Sequence, residues 1–416
     1  MPDLTVYRYD LEVPKSLSDF NPKVFVDGAL EWVAGLVGPK EKVALSESGG
    51  VDSTTVAFLL KEALGERLHL FFINDGFRRI LDDEEEFSVT ASMFEDFPNF
   101  EVLHNRAIVV PWFEGISDGT MKRDIFRSLY TVASNKHIAS LSADWIADGT
   151  IAPDIVMTDE KRQTQHNVDL PYTMRKLEPL APLYKPHVRK VATYLGIPKN
   201  FARKIPCPGP AQLLRVGGAF NEEKLRICKH ATDTVEQKVR EYCRDMWGQP
   251  CKYDENTGVR TPFQYFSACL DPEMAPDTEL AAFVTGIVGQ DVQCWKMKTE
   301  AMWIDPTVTE QARKLYAPVV WVKGSKVDYE IWMKITDAVF EKFGLPRVLY
   351  EVFDSGTGTY PVTIKIVESE DVRTAWPMRV DFDYLVETGK AICEKTGAAR
   401  AAFDISRRPP ATIELF

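Results

Sequence analysis

The sequence predicts an α/β protein built on a parallel sheet, followed by an α+β C-terminal domain. Three observations predict it. From Phe20 to about residue 155, short apolar runs alternate with stretches of helical spacing. A glycine-rich turn, Ser48-Gly49-Gly50-Val51-Asp52-Ser53-Thr54, follows a short apolar strand and opens an amphipathic helix. Past Arg215 the regular alternation stops, and a helix over Asn221–Cys243 leads into mixed strands and helices. The 416 residues therefore divide into an N-terminal arm (1–20), a first domain (21–215) and a C-terminal domain (216–416).

The elements follow in order. Residues 1–20 show no clear period and read as an arm. Val24–Val37 has helix spacing, with Phe25, Ala29, Val33 and Val37 on one side. Lys42–Leu45, Leu68–Ile73 and Phe100–Leu103 read as buried strands. Asp82–Phe94 and Thr120–Lys136 read as helices, and Ser140–Ile155 as a strand and loop. Residues 160–176 are polar and irregular, a long loop by composition. Pro206–Pro210 (PCPGP) suits neither helix nor strand. Near the end, Val319–Val322, Tyr329–Phe343 and Arg347–Val352 form strand, helix, strand. Pro361–Val367, Phe382–Thr396 and Ala399–Ile405 repeat that order, which suggests an internal duplication.

Composition excludes several classes. Fifty basic against 61 acidic residues give a net charge of −11, which disfavours non-specific nucleic-acid binding. Local basic clusters can still hold phosphorylated small molecules. No apolar run reaches the ~18–20 residues of a membrane span, and the start lacks the pattern of a secretory signal. Seven cysteines, odd in number and without a C-x-x-C pair, argue against a disulfide framework or a structural zinc site. A reducing cytoplasm is the expected location.

The glycine turn carries the chemistry. Its two glycines let the backbone bend tightly and bring bare N–H groups toward an anion. The helix N-terminus adds partial positive charge. Ser48, Ser53 and Thr54 add hydroxyl donors, and Asp52 is placed to hold Mg2+ against phosphates. The plainer alternative is a helix cap with glycines in a tight turn; a strand before and a helix after favour a pyrophosphate cradle. No G-x-x-x-x-G-K-[ST] occurs, so the lysine of γ-phosphoryl transfer is missing.

The S-G-G-x-D-S pattern resembles the PP-loop of ATP pyrophosphatases, the adenine nucleotide alpha-hydrolase-like fold, which cleave ATP between the α- and β-phosphates. From Phe20 to its end the chain resembles the synthetase part of GMP synthetase. LFFINDGFRR resembles that family's F-V-D-N-G-L-L-R, and GISDGTMKRDIF its G-V-T-D-P-E-x-K-R-K-I-I. ADGTIAPDIV resembles Q-G-T-I-Y-P-D-V-I, QHNVDLP resembles H-H-N-V-G-G-L-P, and LEPLAPLYKPHVRKV resembles L-x-E-P-L-x-x-L-F-K-D-E-V-R. RKIPCPGPAQLLRV resembles R-H-P-F-P-G-P-G-L-A-x-R-V, and SRRPPATIELF resembles S-K-P-P-A-T-I-E-W-E. Seven motifs in the family's order are specific together, where each alone is weak.

The resemblance implies a ligase that uses MgATP to adenylate the C2 oxygen of xanthosine 5′-monophosphate (XMP) and then lets ammonia displace AMP, giving GMP. Ser48, Gly49, Gly50, Val51, Asp52, Ser53 and Thr54 would hold ATP, with Asn74, Asp75, Gly149 and Thr150 beside the nucleotide. Asp52 would hold the metal. Asp52, Ser48, Ser53 and His166 would be the catalytic groups, His166 as general base for the amine. Arg123, Lys185, Arg189, Arg215, Arg408 and Glu414 would bind the XMP-like purine nucleotide. No glutamine amidotransferase domain precedes the loop, so ammonia or a separate glutaminase subunit is expected. Shorter family members dimerise through a single C-terminal copy; the doubled unit here implies either a homodimer or a pseudo-dimeric monomer.

Departures keep two alternatives open. Asn74 replaces Asp, Asp148 replaces Gln, Ala152 replaces Tyr, Gln165 replaces His, Ala211 replaces Gly and Arg408 replaces Lys. Gln163 stands where a lid lysine is expected, Asp169 replaces paired glycines, and Phe416 replaces Glu. Ser46-Glu47 are extra before the loop. Cys207 stands where the family has Phe, a candidate nucleophile if its thiol is activated; the plainer role is a small buried filler. The first alternative is a paralogue that adenylates another nucleotide or heterocycle, with amine or sulfur as nucleophile. The second is a non-catalytic nucleotide-binding pseudo-enzyme.

Overall fold

A computed structural model describes residues 5–14, 16–159, 174–202, 204, 205, 207, 209–254, 258–305, 314–371 and 373–415. In the first half, six strands form a fully parallel sheet: β1 (Val6–Arg8), β2 (Val43–Glu47), β3 (Leu68–Asn74), β4 (Phe100–His104), β5 (Trp145–Ala147) and β6 (Arg175–Glu178). Their spatial order is β1-β6-β5-β2-β3-β4. Strand parity divides the two faces. Val43, Leu45, Leu70 and Trp145 point to one cluster, Ala44, Phe71, Ile73 and Ile146 to the other. The first face is covered by α1 (Pro22–Leu36), α2 (Val51–Leu64) and α4 (Lys185–Tyr194), which pack on one another. The second is covered by α3 (Gly119–Leu141), through Ile138.

The order also places the site. From β2 the chain moves one way to β3 and β4, then returns to β5 on the other side of β2. The crevice between the carboxyl ends of β2 and β5 is a topological switch point, where open α/β sheets bind ligands. The glycine turn leaves β2, and Gly149-Thr150 leave β5.

The second half is one larger sheet. Its strands are β7 (Gln264–Phe266), β8 (Met274–Pro276), β9 (Gln293–Ile304), β10 (Lys314–Lys323), β11 (Val348–Asp354), β12 (Pro361–Glu368) and β13 (Arg400–Asp404). They lie in the order β7-β12-β13-β11-β10-β9-β8, with Trp376–Pro377 beside β12. β10, helix α6 (Tyr329–Phe343) and β11 make one parallel β-α-β unit; β12, helix α7 (Phe382–Thr396) and β13 make another. The two units meet at the antiparallel β11–β13 pair, side by side in one sheet. Helix α5 (Glu222–Trp247) packs on α7 and β7. One core cluster runs from Phe77, Phe113 and Phe126 through Leu225 and Val235 to Trp332 and Phe403, so apolar packing joins the halves.

Several expectations need correcting. The arm adds β1 to the edge of the first sheet, Val6 pairing with Lys176. The helix expected over Asp82–Phe94 covers only Glu86–Ser92. Ahead of it, Ile80–Leu81 and Glu84–Glu85 form a hairpin whose turn residues Asp82 and Asp83 have φ of 50° and 68°. Aspartate tolerates this left-handed region better than most residues. Arg240 pairs with Asp82, and Lys395 Nζ lies 2.6 Å from Asp83, so helices distant in sequence hold the turn. Ala152–Asp159 is helical rather than loop, and the strand Arg175–Glu178 begins inside the expected 160–176 loop. Residues 160–173 of that loop lie outside the described residues.

The C-terminal tail is held by a buried arginine. Arg347 Nη1 donates to Asp404 at 2.6 Å, and Nη2 donates to the carbonyls of Thr412 (2.7 Å) and Glu414 (3.0 Å). Lys365 adds a second cation to Asp404 at 3.0 Å. Removing one member of a buried ion pair strands its partner, at a cost of about 3–5 kcal/mol. Arg347→Met is therefore expected to lower the urea unfolding midpoint clearly; an unchanged midpoint refutes this account of the tail.

Candidate active site

The turn after β2 needs glycine at one position. Gly49 has φ +74°, where a side chain would be strained. Gly50, in extended conformation, precedes α2, and the first intrahelical bond runs from Thr54 N to Gly50 O at 3.1 Å. The N–H groups of Val51, Asp52 and Ser53 come before that bond, so the helix itself supplies them no acceptor. Ser48 Oγ and Ser53 Oγ lie 2.8 Å apart beside them. Gly149 closes the other wall: a Cβ there would stand 2.9 Å from Ser53 N. Close approach of the β5 loop to the turn therefore requires glycine at 149.

Glu47, the last residue of β2, is 1% exposed. Its Oε1 accepts from Gly49 N (2.6 Å), Ser53 Oγ (2.8 Å) and Thr54 Oγ1 (3.1 Å), while Oε2 has no hydrogen-bond partner among the described residues. Burial pushes this carboxyl up to about 7 against the pull of those donors. Asp52 Oδ2 is paired with Lys185, and its Oδ1 is buried without a hydrogen-bond partner among the described residues. Asp154 is near enough for the Asp52 charge to add to the burial that raises its own pKa. Behind the β5 loop, Thr150 Oγ1 donates to Glu178 at 3.1 Å. Glu178 is also held by Lys176 (2.8 Å) and Arg8 (2.7 Å). Lys176 lies 3.0 Å from Asp148, whose carboxyl burial raises to about 6. The carboxylate at 148, where Gln is the family residue, thus has a cation to face.

At the end of β3, Asn74 Oδ1 accepts from Gly76 N (3.2 Å) and Asp75 Oδ1 from Phe77 N (2.8 Å). Asn74 lines a cavity of about 310 Å³ together with Phe87, Arg106, Arg226 and Lys229. Burial raises the Asp75 carboxyl.

A second cluster forms between the halves. Arg215 makes a two-pronged contact with Glu414, Nε at 3.0 Å and Nη2 at 2.8 Å, and stacks on the Phe266 ring at 3.8 Å. Arg123 lies within reach of the charges of Tyr316 and Glu414, its Nη1 4.0 Å from Met302 Sδ. Cys207 sits in the fields of Arg79, Arg215, Glu86 and Glu414. Burial raises its thiol, the two arginines only partly opposing, so the group is a neutral thiol and no activated nucleophile. Two expected substrate residues have other partners: Lys185 pairs with Asp52 at the glycine turn, and Arg189 with the second half. Arg189 donates to Tyr253 OH (3.0 Å) and Gly258 O (2.9 Å), so it ties down the 253–258 segment. Arg408 exchanges backbone hydrogen bonds with Ala375 and has Asp371 as its charged neighbour. His166, with Gln163, Gln165 and Asp169, lies outside the described residues.

Sequence reasoning missed a buried charged chain. Arg79 Nη1 donates to Glu236 of α5 at 2.6 Å, and its Nε lies 3.4 Å from Glu86. Lys204 pairs with Glu86 and donates to Gly49 O at 3.2 Å. Burial alone would raise Glu86, yet Arg79, Lys204 and Arg78 hold it at about 2. The Arg78-Arg79 pair, with three residues between it and the end of an apolar strand, was the available signal: two guanidinium groups there need buried acids.

A glycine-lined anion cradle at the switch point of a parallel sheet, lacking the Walker lysine, defines an ATP-dependent synthetase of the PP-loop class. A family model, GMP synthase C terminal domain, matches residues 352–415. A subunit of the glutamine-hydrolyzing GMP synthase of Sulfurisphaera tokodaii is 30% identical over 404 residues, 95% of this chain and 99% of that one. The corresponding subunit from Methanocaldococcus jannaschii is 28% identical over 402 residues with the same coverage. The chain belongs to this family of GMP synthase subunits. Among solved structures, the NMN synthetase of Francisella tularensis aligns with 46% of this chain and 78% of that chain at 17% identity and a TM-score of 0.37.

Glu47 makes a stability prediction. Its folded-state pKa of about 7 lies above the ordinary value of 4.5. The folded state therefore binds more protons between those values, and stability falls as pH rises through that window. Glu47→Gln is expected to remove this dependence, gaining on the order of 1–3 kcal/mol over the parent at pH 8 relative to pH 5. Urea unfolding at both pH values checks it; parallel pH profiles contradict it.

Proposed function

We propose that this chain is the ATP-pyrophosphatase subunit of a two-subunit GMP synthase. It adenylates the C2 oxygen of XMP with release of pyrophosphate, and ammonia then displaces AMP to yield GMP. The observation that carries this reading is the pairing of two sites in one fold: an anion cradle at Ser48–Thr54 and an arginine–carboxylate cluster at Arg123, Arg215 and Glu414.

In this reading the Val51, Asp52 and Ser53 N–H groups and the Ser48 hydroxyl hold the β- and γ-phosphates, and Lys185 offsets their charge. The Asp52 Oδ1, buried with no hydrogen-bond partner among the described residues, and the neighbouring Asp154 carboxyl suit a hard divalent cation such as Mg2+. Bound there, Mg2+ would withdraw charge from the departing pyrophosphate. The XMP C2 oxygen attacks the α-phosphorus and the α–β bridge breaks, its electron pair leaving with pyrophosphate. Ammonia then adds at C2, loses a proton, and AMP departs with the C–O bond pair. Adenylation is needed because a purine carbonyl oxygen leaves poorly as oxide or hydroxide.

Arg123 and Arg215 supply charge for the XMP phosphate and base oxygens, and Glu414 accepts from base N–H groups while orienting Arg215. Gly149 and Thr150 form the wall beside the adenylate. The relatives' names describe one subunit of a glutamine-hydrolyzing enzyme, which supports a separate glutaminase as the ammonia source.

The test is pyrophosphate release measured with MgATP, XMP and ammonium ion, alone and together. Release is expected only with XMP present, and GMP only when ammonium is added; ADP and orthophosphate as products refute the reading. Arg215→Ala is expected to raise the KM for XMP about 10- to 100-fold, as loss of a charged hydrogen-bond pair does, with a smaller change in the KM for ATP. Cys207→Ser is expected to keep most activity, because the thiol is not activated; complete loss would revive sulfur chemistry.

A further inference from the structure

Glu47 has an odd position. It is an acid at the end of the central strand, buried directly beneath a turn shaped for anions. Its Oε1 draws on three of the turn's donors: Gly49 N, Ser53 Oγ and Thr54 Oγ1. Each hydroxyl has a single hydrogen, so a Ser53 hydroxyl committed to Glu47 is not available to a phosphate. A phosphate held by the outward N–H groups of Val51, Asp52 and Ser53 would have a carboxylate on the far side of the same side chains.

A counterpart stands nearby. Arg78, 8% exposed, lies over the Phe72 ring at 5.4 Å, and its Nε has no hydrogen-bond partner among the described residues. Its charge acts on Glu47, Asp75 and Glu86. The other charged groups around the turn have closer partners: Asp52 with Lys185, and Lys204 with Glu86. Glu47, beneath the turn, and Arg78, whose nearest charges are Asp75 and Glu86 and whose field also reaches Glu47, are the two ions left to raise or lower the potential of the cradle without lining it.

We propose that Glu47 and Arg78 form a charge couple beneath the turn that sets how tightly pyrophosphate is held, Glu47 loosening the grip and Arg78 tightening it. The inference rests on the reading that this turn binds the outer phosphates of ATP. Product release gives the couple its use. Pyrophosphate is small and highly charged, and a cradle with every donor turned outward would keep it. A like charge a few ångströms behind the site, at an effective dielectric near 20, weakens anion binding by about tenfold or more. Both residues act through the turn, so they are tuning residues rather than catalytic ones.

The experiment is calorimetric titration of the full chain with magnesium pyrophosphate at pH 8.5, above the range in which Glu47 takes up a proton. Glu47→Gln keeps an acceptor for all three donors and removes the charge. It is expected to bind pyrophosphate about tenfold more tightly and to show stronger product inhibition by pyrophosphate, with a lowered KM for ATP. Arg78→Met is expected to bind more weakly, and the double variant to return toward the parent. A Glu47 acting only as a structural prop predicts the opposite, since loosening the turn would weaken binding. Unchanged or weaker binding by Glu47→Gln overturns the proposal while leaving the functional reading in place. Failure of the parent to bind either MgATP or magnesium pyrophosphate overturns both. Should Glu47→Gln not fold, Arg78→Met decides: weaker binding supports the couple, unchanged binding overturns it.

Discussion

The buried chain Gly49–Lys204–Glu86–Arg79–Glu236 is the interaction on which the rest of the structure depends. It runs from a backbone carbonyl of the anion turn, through the proline-rich segment and the helix after β3, to helix α5 of the second half. Each charge in it is desolvated, and each would be costly alone. Such a chain is satisfied only when both halves are docked in one relative position. The same docking brings Arg215 to Glu414 and sets Cys207 in the fields of both. In the proposed reaction the turn and the Arg215–Glu414 cluster act together, which requires that spacing to be held. Apolar packing through Phe77, Phe113, Leu225 and Val235 makes the interface cohesive, and the ions give it register.

The second sheet solves a related problem. Two β-α-β units lie side by side across the β11–β13 pair, so the sheet continues where a single unit would expose an edge. Its far benefit is the C-terminal tail. Arg347, at the start of β11, takes the carbonyls of Thr412 and Glu414 and so presents the Glu414 carboxylate to Arg215. Glu414 therefore belongs to two networks, one through its backbone and one through its side chain. The tail, which makes only isolated bridges among the described residues, is placed by the repeated units.

Much of the fold was legible because parallel strands buried on both faces read as continuous apolar runs, and LHLFFI could hardly be anything else. The anion turn was legible for a similar reason: glycines, hydroxyls and an acid in seven consecutive residues are a local signal. The helix over Asp82–Phe94 was misread because its first residues are held as a hairpin by Arg240 and Lys395, some 150 and 310 positions away in the chain. Arg189, which the resemblance implied as a substrate residue, has its donors taken by Tyr253 and Gly258, which arrive from the second half.

By itself the sequence determined the parallel sheet, the glycine turn that opens α2 and the family, since each is written in contiguous residues whose backbone preferences and burial pattern act locally. Only the tertiary structure decided which charges meet. It put Glu47 beneath the turn, Lys185 on Asp52, Glu414 on Arg215 and a neutral thiol at Cys207. The physical reason is that an ionisable side chain's partner and protonation are set by desolvation and by charges brought from distant segments, and neither exists until the chain has folded.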